Sequence, residues 1–342
     1  MTAVIDDRFS RQMRFAPFGM DGQERVRKAT AAVVGLGGLG SWIAEQLVRA
    51  GIGRLRVIDR DVVEESNLPR QTLYLAEDAR HGRPKAEAAA ERLAGIGGPT
   101  AIEPHARELQ RRSIDALLAG CEVVLDGLDH FAGRFLLNDW CRRRGVAWVY
   151  GGAVGGAGSV LLVAPDRGPC LRCLFPGAEG AVGGETCDTV GVLSPLPALI
   201  ASLQTSEALR YLAGDRRDAR LWHFEPWEGR AVALKPGPSA PGCPVCARSG
   251  YPALDGPDPE EAVKLCGRDT VQVEPPRRDL SLSLDEVAER WRGLGAVERS
   301  RFLVRLSVDG LVLSLFDDGR ALVQGTSSLE RARSLCERLV GR

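Results

Sequence analysis

The sequence predicts an α/β protein, a doubly wound and mostly parallel sheet with an antiparallel extension, followed by a small α+β domain. Three observations carry that prediction. From Ala31 onward, short apolar runs (AAVVG, RLRVIDRD, EVVLDGLD, WVYGG) alternate with stretches of helical periodicity, the pattern of a parallel sheet covered on both faces. After Gly151 the alternation gives way to GAVGGAGSVLLVAP, which reads as an antiparallel hairpin. Around Pro252 to Pro259, PALDGPDP clusters proline and glycine without apolar periodicity and reads as a linker. The expected division is therefore 1–250 and 251–342.

Taken in order, AAVVG leads into the helix-like GSWIAEQLVRAG and then the strand RLRVIDRD. A helix is expected from about Pro84, a strand at AIEPHAR, a helix near Arg111, the strand EVVLDGLD, a helix from about Gly133 and the strand WVYGG. Beyond the hairpin, a helix opens near Pro195 or Pro197, since proline is favoured in a first turn, and closes at Gly214. In the second domain, Ser283 with Glu286 forms a capping box ahead of the stripe Leu284, Val287, Ala288 and Trp291. FLVRLSV, LVLSLF and RALVQG, joined at Asp309-Gly310 and Asp318-Gly319, predict a three-strand meander. Ser327 with Glu330 starts a last helix with Leu329, Ala332, Cys336 and Leu339 on one face.

The 342 residues carry 45 Lys+Arg against 45 Asp+Glu, and this balance argues against a protein held to nucleic acid by backbone phosphates. No apolar run reaches the roughly 18 residues of a membrane span, and MTAVIDDRFSRQMRF has no apolar leader core, so a soluble cytoplasmic protein is expected. Glycine is the outlier at 40 residues, gathered in short clusters where backbone must approach something closely.

Gly35 to Gly40 reads GLGGLG, a G-x-G-x-x-G between an apolar strand and a helix, the Rossmann-like arrangement that offers backbone N–H groups to phosphate oxygens. Asp59 ends the next strand, where an acidic residue accepts hydrogen bonds from a ribose. Alone, these fit an NAD-dependent oxidoreductase. The next block, DRDVVEESNLPRQ, with GRPK ending at Lys85 and DGLD ending at Asp129, points elsewhere. Arg14, Arg70 and Lys85 with one carboxylate suit neutralisation of phosphate charge with bound Mg²⁺, hence nucleotidyl transfer rather than hydride transfer.

Nine cysteines without a secretion signal favour metal binding or thiol chemistry over a disulfide framework. Cys170/Cys173 and Cys243/Cys246 form two Cys-x-x-Cys pairs, enough to close a tetrahedral Zn²⁺ site with no open position and therefore a structural role. Cys121 and Cys141 read as buried apolar residues, whereas Cys187 stands in the glycine-rich segment GGETCDTVGV. The four histidines show no ligand spacing.

From about Phe9 to Ala247 the chain resembles the ThiF/MoeB family, bacterial relatives of ubiquitin-activating enzymes. SRQMRF, GLGGLG, D-x-D-x-V-x-x-SNL-x-RQ, G-x-PK, the D-G-x-D strand end, the two Cys-x-x-Cys pairs and TCDTVGVLSP occur in the family's order. The resemblance implies ATP-dependent adenylation of the C-terminal glycine carboxylate of a ubiquitin-like sulfur-carrier protein ending in Gly-Gly, with release of pyrophosphate, serving thiamin, molybdopterin or a related pathway. It implies that Gly35, Gly37, Gly38 and Gly40 cradle ATP phosphates and that Asp59 holds the ribose. Asp61, Ser66, Asn67, Arg70, Gln71 and Lys85 would complete the nucleotide site, Asp129 would carry Mg²⁺, and His130 stands where the family usually has Asn. Arg14 would reach a partner subunit's nucleotide, which implies a homodimer. Cys187 would take the carrier as a covalent adduct, and a sulfurtransferase would be a further partner. Alternatives are an activating enzyme of a bacterial conjugation or defence system, a non-catalytic carrier-binding scaffold and the oxidoreductase above. The C-terminal module is expected to help recruit the carrier or its delivery partner.

Overall fold

The computed structural model describes residues 7–177, 190–256, 262–264, 269–274 and 283–340. The chain divides into two compact units, Met1–Gly256 and Pro257–Arg342.

The first unit opens with α1 (Ser10–Met13) and α2 (Gly19–Lys28). β1 (Thr30–Val34), α3 (Gly38–Ala50), β2 (Arg54–Ile58), α4 (Ala76–Arg80), α5 (Lys85–Ile96), β3 (Ala101–His105), α6 (Arg111–Leu118), β4 (Val123–Asp126) and α7 (Phe131–Arg144) follow, close to the expected order. β5 (Ala147–Val154) and β6 (Ala157–Val163) form the hairpin, turning at Gly155-Gly156, and α8 (Leu171–Leu174) and α9 (Leu196–Leu212) come next. A second hairpin, β7 (Leu221–Glu225) and β8 (Arg230–Leu234), was not anticipated from the sequence, because its strands alternate weakly and β8 is exposed along its whole length. Two short helices, α10 (Pro244–Arg248) and α11 (Pro252–Asp255), close the unit.

The eight strands lie in the order β3-β2-β1-β4-β5-β6-β7-β8, parallel from β3 to β5 and antiparallel beyond. Ala31, Ala32, Val33 and Val34 are all buried, as expected of a central parallel strand with helices on both faces. β3 tolerates Pro104 because it is the edge strand, where a missing N–H costs no ladder bond. The chain winds outward on one side of β1 and returns to the other at β4, so the carboxyl ends of β1 and β4 diverge at a switch point, the crevice where open α/β sheets bind ligands.

In the second unit the three-strand meander is part of a larger sheet. β9 (Ala262–Lys264), β10 (Thr270–Val273), β11 (Ala296–Arg299), β12 (Leu303–Val308), β13 (Leu311–Phe316) and β14 (Ala321–Gln324) pair antiparallel in the order β11-β12-β13-β14-β10-β9. α12 (Leu284–Trp291) and α13 (Leu329–Val340) share a core with one sheet face, through Trp291, Leu306, Leu313, Val323 and Ala332. The Ser283 hydroxyl caps α12 by accepting the Glu286 N–H at 3.3 Å, as the sequence predicts. At α13 the capping hydroxyl is that of Ser328, accepting from the Arg331 N–H at 3.2 Å, one residue later than expected. Among the described residues, no helix is long and apolar enough to cross a membrane.

Candidate active site

The glycine loop joins β1 to α3 at the switch point, and each motif glycine has its own reason. Gly35 turns the chain at φ +84°, and a Cβ there would lie 2.6 Å from the Gly127 carbonyl oxygen at the end of β4. A Cβ on Gly40 would overlap the Gly35 carbonyl, so this glycine lets α3 pack against the loop. Gly37 is different: the nearest foreign atom to a Cβ there is the Gln71 amide nitrogen, 3.9 Å away. No side chain caps α3, so the N–H groups of its first turn await an external acceptor, the arrangement that binds phosphate.

Asp59 follows β2, and its carboxylate accepts the Leu36 N–H at 2.6 Å and the Asp61 N–H at 2.7 Å, tying the glycine loop to the next strand end. Burial pushes the Asp59 carboxyl above its ordinary value, and the Lys85 charge pulls against that rise. Lys85 is the first residue of α5 and is 3% exposed, with its ammonium 3.4 Å from an Asp61 carboxylate oxygen. The Tyr74 hydroxyl donates to the Leu36 carbonyl at 2.8 Å and closes the loop from the other side. Gln71 is buried with its carboxamide oxygen unpartnered, close to Gly37. Buried polar atoms normally find partners, so this oxygen fits a site that expects a donor from outside.

The remaining site residues divide. The Arg70 Cδ lies 3.9 Å from where a Cβ on Gly38 would stand, although its guanidinium donates to the Ser66 carbonyl at 2.6 Å. Ser66 is exposed, whereas Asn67 is fully buried and its carboxamide oxygen accepts the Glu64 N–H at 3.0 Å; Asn67 shapes the turn that carries Arg70. Arg14, just past α1, is exposed, and among the described residues its guanidinium has no partner. Asp129 is exposed beyond β4. His130 caps α7, its Nδ1 accepting the Gly133 N–H at 3.1 Å, while burial and then the Arg60 charge hold its pKa low. A ring nitrogen thereby does the capping that an Asn would do at that position. Cys187 lies outside the described residues.

At the other end of the unit, the sulfurs of Cys170, Cys173, Cys243 and Cys246 all lie within 4.8 Å of one another. Three of the separations are 3.9, 3.6 and 3.8 Å. A tetrahedron with metal–sulfur bonds of about 2.3 Å has edges of about 3.8 Å, so the four thiols fit one Zn²⁺ and are too far apart for disulfides. N–H groups of Ala240 and Cys246 point at Cys173 and Cys243 sulfurs at 3.3 and 3.5 Å, the bonds that steady a thiolate.

The ThiF family matches residues 9–245. The chain belongs to the ThiF family. It is 36% identical over 98% of its length to the sulfur carrier protein ThiS adenylyltransferase of Bacillus subtilis, covering 99% of that protein. It is also 36% identical to the SAMP-activating enzyme E1 of Haloferax volcanii, over 78% of this chain and 99% of that one, and to the molybdopterin-synthase adenylyltransferase of Escherichia coli, over 70% and 96%. Among solved structures, Escherichia coli MccB with AMPCPP and MccA is similar in fold, with a TM-score of 0.61 at 20% identity, covering 71% of this chain and 75% of that one. This ThiF-family chain is an adenylyltransferase.

Within the ThiF-family site, the structure adds four residues that the sequence alone did not single out. Asp126, the first Asp of DGLD, is fully buried, accepts the Leu128 N–H at 2.9 Å and lies 3.3 Å from Arg134. Burial pushes it up to about 6 against the pull of Arg134. Arg134 also donates to the Leu128 and Gly151 carbonyls at 2.7 and 3.1 Å, bracing the turn that ends in Asp129. Arg60 pairs with Glu108 at 2.5 Å and lies within electrostatic reach of Asp129. Gln204, fully buried on α9, donates to the Asp126 and Val149 carbonyls at 2.8 and 3.1 Å, joining the end of β4 to β5 where their pairing stops. Arg134 falls on the helical side of DGLDHFAGR with no periodic signal, and Gln204 is one of several polar residues on α9, beside Ser202, Thr205, Ser206 and Glu207, so only packing reveals them.

Proposed function

We propose that this chain adenylates the C-terminal glycine carboxylate of a ubiquitin-like sulfur-carrier protein with ATP, releasing pyrophosphate, and that its carrier is of the ThiS class. The observation that carries the choice of carrier is coverage. The Bacillus subtilis relative matches 98% of the chain, C-terminal unit included, whereas the Escherichia coli molybdopterin relative matches 70%.

In this reading the ATP phosphates lie over the uncapped first turn of α3, against Gly37 and Gly38, with Asp59 on the ribose and the Gln71 oxygen taking a donor. A carrier carboxylate oxygen attacks the α-phosphorus in line, and the bond to the bridging oxygen breaks as pyrophosphate leaves with the electron pair. Nucleophile and electrophile are both anionic, so fixed cations must stabilise the charge that gathers between them. Lys85 is suited to that because its ammonium is buried and held by Asp61 before any ligand arrives. Arg70 supplies a second positive charge from its turn, and an unpaired Arg14 supplies a third to the partner subunit of a homodimer. Asp129, exposed beside the phosphate loop, suits Mg²⁺, which takes one or two carboxylates plus phosphate oxygens; when bound, it supplies charge neutralisation. The four cysteines hold Zn²⁺ structurally. The acyl group then passes to the Cys187 thiolate with AMP leaving.

The test is ATP–pyrophosphate exchange against purified Gly-Gly-ended carriers of the ThiS, molybdopterin and SAMP classes. Exchange is expected with the ThiS-class carrier. Exchange with another class alone would overturn the choice of carrier, and exchange with none would overturn the reading.

A further inference from the structure

The two halves of the four-cysteine site come from chain segments about seventy residues apart, and one buried carboxylate on α7 bonds the first half and the chain just past the second. Asp139 and its neighbour Asn138 are fully buried. Both Asp139 oxygens receive the Arg172 guanidinium, Nε to Oδ1 and Nη2 to Oδ2, each at 2.9 Å, and Arg172 stands between Cys170 and Cys173. The same guanidinium stacks 4.6 Å over the Phe135 ring, one turn earlier on α7. Asn138 accepts the Leu171 N–H at 2.8 Å and donates to Asp139 Oδ1 at 3.0 Å. The fourth bond to the carboxylate is the Ala253 N–H at 2.8 Å, from α11, just beyond Cys243 and Cys246. Arg143, also on α7, grips α11 again, pairing with Asp255 at 2.6 Å and lying 4.6 Å over Tyr251.

A buried ion pair on its own is weak evidence for stability, because desolvation cancels much of the attraction. Here the carboxylate accepts four hydrogen bonds, its full complement, and three of them come from the two cysteine-bearing segments. Joining segments so far apart in sequence has an entropic cost, and a carboxylate that has already docked both leaves the metal less of it to offset. We propose that Asp139, with Arg172, is the positioning pair of the four-cysteine site, gathering both Cys-x-x-Cys turns onto α7 so that the thiolates converge ahead of the metal. The proposal rests on these cysteines holding Zn²⁺, which elemental analysis of the wild-type protein decides separately.

The test measures zinc affinity of the full-length protein by competition with a chromophoric chelator, alongside the thermal midpoint. Asp139→Asn is expected to weaken zinc binding 10- to 100-fold, the usual loss when a group behind a metal ligand is removed. Arg172→Lys, which keeps the charge and loses the two-pronged contact, is expected to fall between that variant and wild type. Because Asp139→Asn leaves a buried guanidinium facing an amide, the doubly apolar variant Asp139→Leu with Arg172→Met serves as the second test. It retains packing without charge and is expected to bind zinc as weakly. Wild-type affinity in a folded variant, with only the thermal midpoint lowered, would assign the pair a purely structural role and overturn the proposal. Failure of the doubly apolar variant to fold would overturn it too, by making the pair a requirement of the fold rather than of the metal site.

Discussion

Replacing Gly37 and Gly40 by alanine, one at a time, separates binding from packing within the glycine loop. At Gly37 the backbone has φ −74° and ψ −145°, between the regions that L-residues favour, and the nearest foreign atom to the new Cβ is 3.9 Å away. Stability is therefore expected to fall by about 1–3 kcal/mol, from backbone strain alone and with no packing clash. At Gly40 the new Cβ overlaps the Gly35 carbonyl and lies 3.2 Å from Val33 Cγ1. Those neighbours belong to β1 and to the loop locked against Gly127, so no side-chain rotation relieves the overlap. An overpacking cost of about 1–3 kcal/mol is expected. For ATP the contrast reverses in origin. In the proposed reading phosphate lies against Gly37, so a folded Gly37→Ala protein is expected to bind ATP at least about tenfold more weakly, or about 1.4 kcal/mol. Thermal unfolding and calorimetric titration with a non-hydrolysable ATP analogue read the two effects. Wild-type ATP affinity in Gly37→Ala, or a wild-type unfolding midpoint in Gly40→Ala, would refute the division of labour.

Asp129→Ala is expected to abolish carrier-dependent pyrophosphate exchange with the thermal midpoint unchanged, because the carboxylate is exposed; full exchange in the folded variant would sink the Mg²⁺ assignment. Cys173→Ser should lose zinc and unfold at lower temperature, since metal affinity of such sites is coupled to folding; active wild-type protein carrying less than about a tenth of a zinc per chain would rule the site out. Asp126, raised from 3.8 to about 6 in the folded chain, binds its proton more tightly when native. Its stabilising contribution, about 3 kcal/mol, is thus fully present below pH 3.8 and lost as pH rises through about 6. A carboxyl NMR titration with its midpoint at or below 3.8 would contradict this.

The parts of the fold and site that were legible are those with a local signature. GLGGLG between a strand and a helix announces the loop, and two Cys-x-x-Cys pairs announce a four-sulfur cluster, because each is a backbone or spacing requirement written into adjacent residues. What stayed hidden depends on partners distant in sequence. The resemblance implies a nucleotide-site role for Asn67, and only the fold shows that its carboxamide oxygen also accepts the Glu64 N–H in the turn that carries Arg70. His130 reads as a departure from the family pattern, yet its ring nitrogen restores the helix cap. The short strands β9, β10 and β11 escaped because short strands of mixed polarity acquire their character from the neighbours they pair with.

Gln204 has a consequence for how the crevice meets its ligand. β4 and β5 pair only as far as Leu125 and Val149, and the carboxamide donates to the carbonyls of Asp126, at the end of β4, and of Val149, inside β5, while its own oxygen, buried, goes without a partner. An unmet buried acceptor costs about 1–3 kcal/mol, so the folded core sustains a standing penalty to keep the end of β4 tethered to β5 at a set separation. The mouth of the sheet is in that sense cast during folding, and nucleotide enters a backbone already in its final shape. Amide exchange at Gly127 and Leu128, whose N–H groups are bonded to the Val34 carbonyl and the Asp126 carboxylate, should then be as slow in the free protein as in the loaded one.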